Sequence, residues 1–265
     1  MKKVLSVLLS IALVLTMAAG ISITASAKSS NGFKYETKGK SASITGYTGS
    51  DTFVVIPEKI GDYKVNSIGD FAFQNNKKIV NVVIPNGVNY IGHWTFGNCS
   101  KLKTISIPKS VNDKQDCPIN ACAFAGCTAL KDVYYGGTKA QWKGVVDFAV
   151  YALGNNDPLT KVKAHYNAPT FTSLKKVTKG KKSFKATWNK KSSVAGYQIQ
   201  YSTSKSFTKK TSKKKTVKGA KKTSVTVKKL KGNKKYYVRI RTYKTVSGTK
   251  YYSAWSTSKT VTTKK

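Results

Sequence analysis

The chain has 265 residues, of which 48 are Lys or Arg and 10 are Asp or Glu, so its net charge is +38. This length allows two small domains. Every acidic residue lies between Glu36 and Asp157, and residues 168–265 contain none. A surface with many lysines and no acids is poorly suited to neutral partners, so residues 168–265 are expected to bind anionic ones.

The first predicted element is a secretion signal over residues 1–27. Two lysines precede an apolar run from Val4 to Ala19, and the small residues Ala25-Ser26-Ala27 follow. This is the order of a signal peptide. The run is shorter than the roughly 20 residues of a membrane-spanning helix, and no second run follows. We therefore expect a chain with no membrane span after signal removal, either secreted or retained non-covalently on the cell surface.

A capping hairpin is predicted over residues 30–51. Phe33, Tyr35 and Ile44 alternate there with polar residues among Gly, Ser and Thr, which is typical of paired strands. Such a hairpin would cover the open end of the stacked repeats that follow it in the chain, because the first repeat of a stack has no preceding neighbour.

A repeated apolar pattern then runs from Ile68 to Tyr135. Three copies begin at Ile68, Ile91 and Ile119, which are 23 and 28 residues apart, and each continues into an apolar-x-x-apolar-x-apolar strand. This period and core predict a leucine-rich solenoid of short stacked strands with return segments. The residues predicted to point inward are Ile79, Val82, Ile84 and their equivalents, and the rings predicted to fill the far side are Phe73, Phe96 and Phe124.

The Ile-Gly-x-x-x-Phe start at Ile68 and Ile91, together with the Ile-Pro pair that ends each strand, resembles the BspA-type (Treponema-type) leucine-rich repeat family of bacterial surface proteins. The resemblance implies an interaction module. Strand positions that alternate with the inward ones are predicted to face solvent. The candidate contacts of this repeat face to a protein or glycan on a cell surface are Asn81, Val83, Thr104, Ser106 and Tyr134.

Four cysteines lie in the repeats. Cys99 and Cys127 occupy the same repeat position, and Cys117 and Cys122 bracket the insertion of the third copy. Secretion permits disulfides, and four cysteines allow three pairings, so all four are candidates. Buried free thiols are an alternative for Cys99 and Cys127. A zinc site is a weaker alternative, because the spacing of Cys117, Cys122 and Cys127 fits structural zinc poorly.

The repeats are predicted to close with a helix and a strand. Thr138 and Gln141 have the spacing of a capping box, with a short helix following to about Phe148. Residues 159–166 are predicted to form the closing strand. The leucine-rich repeat domain with its end caps is therefore placed at residues 28–167.

Residues 168–265 are predicted to be an all-β, immunoglobulin-like sandwich. Short alternating strands separated by Lys, Gly and Ser turns are typical of that fold. Tyr236 follows Leu230 across a turn that contains Gly232, as in a tyrosine corner. With Trp188 on an early strand and Trp255 on a late one, this region resembles a fibronectin type III domain with an unusual load of lysines.

Lysine pairs and triples recur at the turns and outward positions of this domain. They serve as a solubilising surface or attract polyanions. The candidate partners are anionic polymers, either teichoic acid or glycosaminoglycan, and nucleic acid is disfavoured because the chain is expected to be secreted. The candidate contact residues are Lys209, Lys210, Lys213, Lys214, Lys215, Lys221 and Lys222.

The sequence offers no catalytic, cofactor or metal motif. His93 and His165 lack partners at the spacing of a metal site or a base, and no two acids are placed as a glycosidase pair. We therefore expect a non-enzymatic binding or adhesion protein whose repeat face recognises a protein or glycan and whose basic sandwich binds anionic surface polymers. The alternative is an accessory protein of surface-polysaccharide or cell-wall metabolism, with weak hydrolase or transferase activity between the domains.

Overall fold

The structure, a computed structural model, describes residues 28–112, 118–147 and 158–265. The predicted signal peptide and Cys117 lie outside these residues. Within the described ranges, no helix combines the length and the hydrophobicity that a bilayer span requires.

The N-terminal part consists mainly of short strands, in agreement with the solenoid prediction. Its strands are β1 (Lys28–Ser30), β2 (Phe33–Lys38), β3 (Ser41–Tyr47), β4 (Phe53–Val55), β5 (Lys59–Ile60), β6 (Tyr63–Ile68), β7 (Asn81–Val83), β8 (Tyr90–Ile91), β9 (Thr104–Ile107), β10 (Asp132–Tyr135) and β11 (Lys163–His165), and its helices are α1 (Lys139–Asp147) and α2 (Pro158–Lys161).

One strand from each repeat joins a five-stranded parallel sheet in the order β4-β7-β9-β10-β11. The register aligns equivalent positions, so that Val54, Val82, Ile105 and Val133 form one buried ladder across the sheet. The predicted inward ladders are confirmed. They form because one repeat cannot bury its own apolar face and the next repeat covers it.

The phenylalanine rings form a second ladder on the far side of the coil. The Phe73 and Phe96 rings stack with centres 5.0 Å apart, and Phe96 and Phe124 stack at 5.3 Å. All three are fully buried. The prediction that these rings are core is confirmed.

The predicted N-terminal hairpin is present as β2 and β3, which pair antiparallel. β3 then pairs parallel with β6, so the hairpin extends the second sheet of the solenoid and covers its first coil. Phe33 and Ile44 are buried in the repeat core, as expected of a cap.

The C-terminal closure follows the predicted capping box. The Thr138 amide donates to Gln141 Oε1 at 3.1 Å, and the Gln141 amide donates to Thr138 Oγ1 at 3.2 Å. Trp142 and Val145 of α1 are buried against the last coil. The closing strand is shorter than predicted, because Pro158–Lys161 form the helical turn α2 and only β11 pairs with β10. Proline suits the first position of a helix, since its missing N–H leaves no intrahelical bond unmade.

The C-terminal part is a sandwich of two antiparallel sheets. β13 pairs with β12 and β16 in one sheet, while β14 and β17 lie at the centre of the other, between β15, β18 and β19. Its strands are β12 (Leu174–Gly180), β13 (Ser183–Trp188), β14 (Gly196–Ser202), β15 (Ser212–Lys218), β16 (Ser224–Val227), β17 (Lys235–Val246), β18 (Thr249–Tyr252) and β19 (Lys259–Thr262).

The sandwich has its own core, separate from that of the repeats. Trp188 lies against Tyr197, with ring centres 5.0 Å apart, and both are buried. The predicted tyrosine corner is present, because the Lys231 amide donates to the Tyr236 hydroxyl at 3.2 Å. The predicted fold class, a solenoid followed by a sandwich, is confirmed.

Candidate functional site

The seven candidate lysines cluster along one edge of the sandwich. Lys213, Lys214 and Lys215 lie on the edge strand β15, and the others lie in the turns before and after it. All seven are exposed. Among the described residues none of them forms a salt bridge. Lysines on an edge strand also prevent strand pairing between molecules, so the cluster has a structural use beside any binding role.

The predicted repeat face is not free, because the sandwich of the same chain lies against it. A cavity of about 290 Å³ is lined by Asn81, Val83 and Tyr134 from the repeats and by Arg239 and Trp255 from the sandwich. Thr104 lines the same cavity. The prediction that these positions face solvent is wrong for Val83, which is 6% exposed.

The segment between the domains is bonded to both of them. The Phe53 and Phe171 rings contact each other with centres 5.7 Å apart. Asn86 Nδ2 donates to Thr170 Oγ1 at 3.3 Å, and Thr242 Oγ1 donates to the Thr170 carbonyl at 2.7 Å. The segment at residues 170–171 therefore connects β4 of the repeats with β17 of the sandwich, which places the sandwich on the outward side of the parallel sheet.

Two arginines of β17 are stacked between aromatic rings, and we call Phe207, Arg239, Trp255, Arg241 and Tyr252 the arginine stack. The Arg239 guanidinium carbon lies 4.1 Å from the Phe207 ring centre and 4.8 Å from that of Trp255. The Arg241 carbon lies 4.3 Å from the Trp255 centre and 3.7 Å from the Tyr252 centre. Such cation–π contacts are strongest where water is excluded.

Hydrogen bonds fix the same two arginines to β14. Arg239 donates from Nε and Nη2 to Gln200 Oε1 at 2.9 and 2.7 Å, and Arg241 donates in the same way to Gln198 Oε1 at 3.0 and 2.7 Å. Burial, and then the charge of Arg241, lowers the pKa of Arg239 to about 10, so Arg239 remains charged at neutral pH. Burial also lowers the pKa of Arg241. Tyr134 lines the same cavity as Arg239. Its pKa is raised first by burial and then by the negative charge of Asp132.

Replacing Arg241 by lysine is expected to destabilise the sandwich by about 1–2 kcal/mol, although the charge is kept. An ammonium group can neither lie flat between two rings nor donate the paired bonds of a guanidinium. Thermal unfolding of the whole chain measures the change. Lys214→Arg on the neighbouring edge strand is the control, expected within about 0.5 kcal/mol. Equal stability of the Arg241→Lys protein would contradict a stabilising role for the stack.

The arginine stack was not predicted from the sequence. Its signal was nevertheless present, because Arg239 and Arg241 are the two arginines among 48 basic residues and lie two positions apart on one strand. Two residues apart on a strand place both side chains on the same face.

A larger cleft of about 440 Å³ lies between the ends of the repeat strands and the sandwich. Pro57, Pro85 and Pro108, which follow the strand ends, lie along its repeat side. Glu58 is the single carboxylate among the described residues that line it. A hydrolase of the glycosidase type needs two converging carboxyl groups, and the described lining supplies one.

The cysteines and histidines take structural positions. Cys99 and Cys127 are buried free thiols whose Sγ atoms each donate to a carbonyl of the preceding coil, Phe73 and Phe96, at 3.1 Å. A Cys99–Cys127 disulfide is thus not formed, because each thiol is directed to the backbone. Cys122 is also free.

The two histidines contact their neighbours in adjacent coils. His165 Nε2 lies 2.7 Å from Asp132 Oδ1, and its ring stacks on Tyr134 with centres 4.3 Å apart. His93 contacts the Phe71 ring edge-on at 5.8 Å. The described residues contain no group of three metal-ligating side chains.

Comparison with protein families gives two matches. The model of the BspA type leucine rich repeat region matches residues 52–167 in six copies. The model of the fibronectin type III domain matches residues 167–259. No curated protein matches the chain.

Solved structures resemble the two parts separately. A T. pallidum leucine rich repeat protein is 25% identical over 41% of this chain and 53% of its own, with a TM-score of 0.36. A leucine-rich repeat protein from Bacteroides ovatus is 32% identical over 41% of this chain and 31% of its own, also with a TM-score of 0.36. This chain thus spans about half and about a third of their lengths. The fn3 domain of human collagen alpha-1(XX) is 19% identical over 37% of this chain and 87% of its own, with a TM-score of 0.29.

The order of the two family matches is the order of the two folded parts. The chain therefore carries a BspA-type leucine-rich repeat region followed by a fibronectin type III domain.

Proposed function

We propose that this protein is a secreted binding protein that attaches to anionic polymers of a cell surface through the lysine edge of its sandwich. Leucine-rich repeat and fibronectin type III domains suggest a surface or protein-binding role, and the acid-free region 168–265 supports the choice of an anionic partner. The predicted signal at residues 1–27 supports secretion.

The proposal rests mainly on the exposure of the seven lysines around β15. Their charges are not neutralised within the sandwich, since residues 168–265 have no Asp or Glu. Lysine acts as a flexible point charge toward phosphate or sulfate, so the edge suits a linear polyanion whose groups are repeated and whose exact shape varies. Teichoic acid and sulfated glycosaminoglycan both have this chemistry.

The sandwich edge, and not the repeat face, is assigned to the polymer. The repeat face predicted for recognition of a protein or glycan is partly covered by the sandwich at Val83 and Tyr134. The β15 edge lies outside that interface and is open to solvent.

Replacing Lys213, Lys214 and Lys215 together by glutamine is expected to weaken binding of the mature chain to immobilised heparin and to lipoteichoic acid. The slope of log affinity against log salt should fall by about 2 to 3, because each lost contact releases one fewer counterion. Affinity measured between low and high salt gives this slope. Stability should change by less than about 0.5 kcal/mol per site, since all three side chains are exposed.

Two control variants distinguish the effect of where the lysines lie from the effect of the total charge. Arginine at the same three sites should preserve binding, because the charge is kept. Glutamine at Lys38, Lys40 and Lys59, which are exposed on the repeat part, removes the same charge elsewhere and should leave most of the binding. Equal losses from the two glutamine triples, or binding that does not respond to salt, would contradict the proposal.

A further inference from the structure

The cleft between the domains has an apolar floor. Its repeat side is formed where three successive strands end, by Val55, which is 46% exposed, and by the prolines Pro57, Pro85 and Pro108. Phe171 and the Tyr134 side chain lie in the same lining. Clefts of several hundred cubic ångströms with an apolar lining and a few convergent polar groups are typical of small-molecule sites.

Three lysines from separate segments line this cleft. Lys109 follows the third proline of the repeats, Lys191 lies in the loop between β13 and β14, and Lys244 lies on β17. Glu58 reaches Lys191 at a long 3.9 Å and is itself largely exposed. The described lining therefore carries three cations against one anion.

The backbone at these lysines is held in place. The Lys191 amide donates to the Tyr197 hydroxyl at 2.8 Å, and that hydroxyl donates to the Ala220 carbonyl at 2.8 Å. Tyr197 is fully buried, so this loop is fixed to the core of the sandwich. Lys244 pairs with Tyr251 in the sheet. The positive groups are thus presented from ordered elements.

Two further observations favour an anionic ligand in this cleft. The buried Ser106 hydroxyl, which lines it, has no hydrogen-bond partner among the described residues. An unsatisfied buried hydroxyl is costly, and a ligand acceptor would satisfy it. Burial, followed by the nearby charge of Lys109, lowers the pKa of Lys244. An anion between the two ammonium groups would relieve that repulsion.

We propose that this cleft binds a small organic anion with an apolar body and a carboxylate, phosphate or sulfonate head. The head lies between Lys109, Lys191 and Lys244, and the body lies against Val55, Tyr134 and Phe171. This site is separate from the β15 lysine edge, because no residue of β15 lines the cleft.

The probe for this site is 8-anilinonaphthalene-1-sulfonate, whose fluorescence rises in an apolar environment. The whole mature chain is expected to bind one equivalent. Lys191→Gln and Lys244→Gln should each weaken binding about tenfold, because each removes one charge-assisted contact. N-phenyl-1-naphthylamine lacks the sulfonate, so its binding should be equal in the unchanged protein and in both variants.

Matched variants test the position of the site. Lys179→Gln, an exposed lysine of β12 outside the cleft, and the glutamine triple at Lys213, Lys214 and Lys215 should bind the probe as the unchanged protein does. Ser106→Leu places an apolar side chain in the cleft and should abolish binding. The inference would be overturned if Lys191→Gln, Lys244→Gln and Ser106→Leu all left binding of the sulfonate probe unchanged. It would also be overturned if Lys179→Gln weakened that binding as much as the cleft variants do.

Discussion

Replacing Phe96 by alanine is expected to lower the free energy of unfolding of the repeat region by about 3–5 kcal/mol, the cost of truncating a buried aromatic ring and leaving a cavity. Phe96 is 0% exposed and is stacked between Phe73 and Phe124. The neighbouring rings belong to other coils and are fixed by their own repeats, so they can fill the space only in part. Urea unfolding, with hydrogen exchange to assign the transition to the repeats, measures the loss.

Phe71→Ala is the matched control for this prediction. Phe71 lies in the same kind of coil but is 52% exposed. Its backbone has φ 59°, and alanine meets the same restriction there as phenylalanine does. The expected loss is below about 1 kcal/mol. Similar losses for Phe71→Ala and Phe96→Ala would show that the ladder is not the source of stability.

The second large effect concerns the thiols of Cys99 and Cys127. Burial raises the pKa of Cys99 to about 11, and burial followed by the proximity of Cys99 raises the pKa of Cys127 to about 12. The reactive species is the thiolate. At pH 8 we expect alkylation by iodoacetamide to be at least about a hundredfold slower for Cys99, and about a thousandfold slower for Cys127, than in the unfolded chain.

Peptide mass spectrometry after timed labelling reads each cysteine separately. Cys122 is partly exposed and serves as the internal control that reacts in the folded protein. In denaturant without reductant, all three described cysteines should react. A Cys99–Cys127 pair that stays unlabelled there and appears as a linked peptide would contradict the free thiols of this structure.

The raised thiol pKa values also set the direction of a pH effect. In both cysteines the folded pKa lies above the ordinary value of 9.0. Their contribution to stability is therefore complete below about pH 9 and is lost as the pH rises toward 11 and 12, because the unfolded chain releases its thiol protons first.

The solenoid could be predicted from the sequence because burial there follows a strict period. Val82, Ile105 and Val133 recur at fixed positions within each copy, and stacking is the arrangement that buries them. The capping box of α1 could also be predicted, because it depends on two residues three positions apart. Thr138 and Gln141 each accept a hydrogen bond from the backbone amide of the other.

The strand β15 was not predicted, because Ser212–Lys218 has the composition of a polar turn. It forms a strand because each of its residues aligns with one of β14 in the sheet, while its lysines remain in solvent. Its partner residues in β14 lie 10 positions earlier in the chain at the Ser202↔Ser212 end and 22 positions earlier at the Gly196↔Lys218 end. Composition alone does not reveal such a pairing.

The interface and the cleft were not predicted for a different reason. Alternation along β7 and β9 shows that Val83 and Ser106 point away from the repeat core, but it does not show what covers that side. The cover comes from residues beyond Ala168, among which Phe171 contacts Phe53 of the repeats while Arg239 and Trp255 line a cavity shared with them. Contacts between domains depend on three-dimensional placement, and no period in the sequence records them.

The contact of the sandwich with two separated strands of the parallel sheet, β4 and β10, limits how this protein can change in length. Phe171 meets Phe53 on the first strand, and the arginine stack lies near Tyr134, three strands further on. One added repeat would move these two points apart by a strand spacing of about 4.8 Å. Open solenoids gain and lose whole repeats readily. Here, duplication of a repeat between β4 and β10 would separate the sandwich from one of its two contact points on the sheet. The number of coils can therefore change only if the width of the sandwich changes with it.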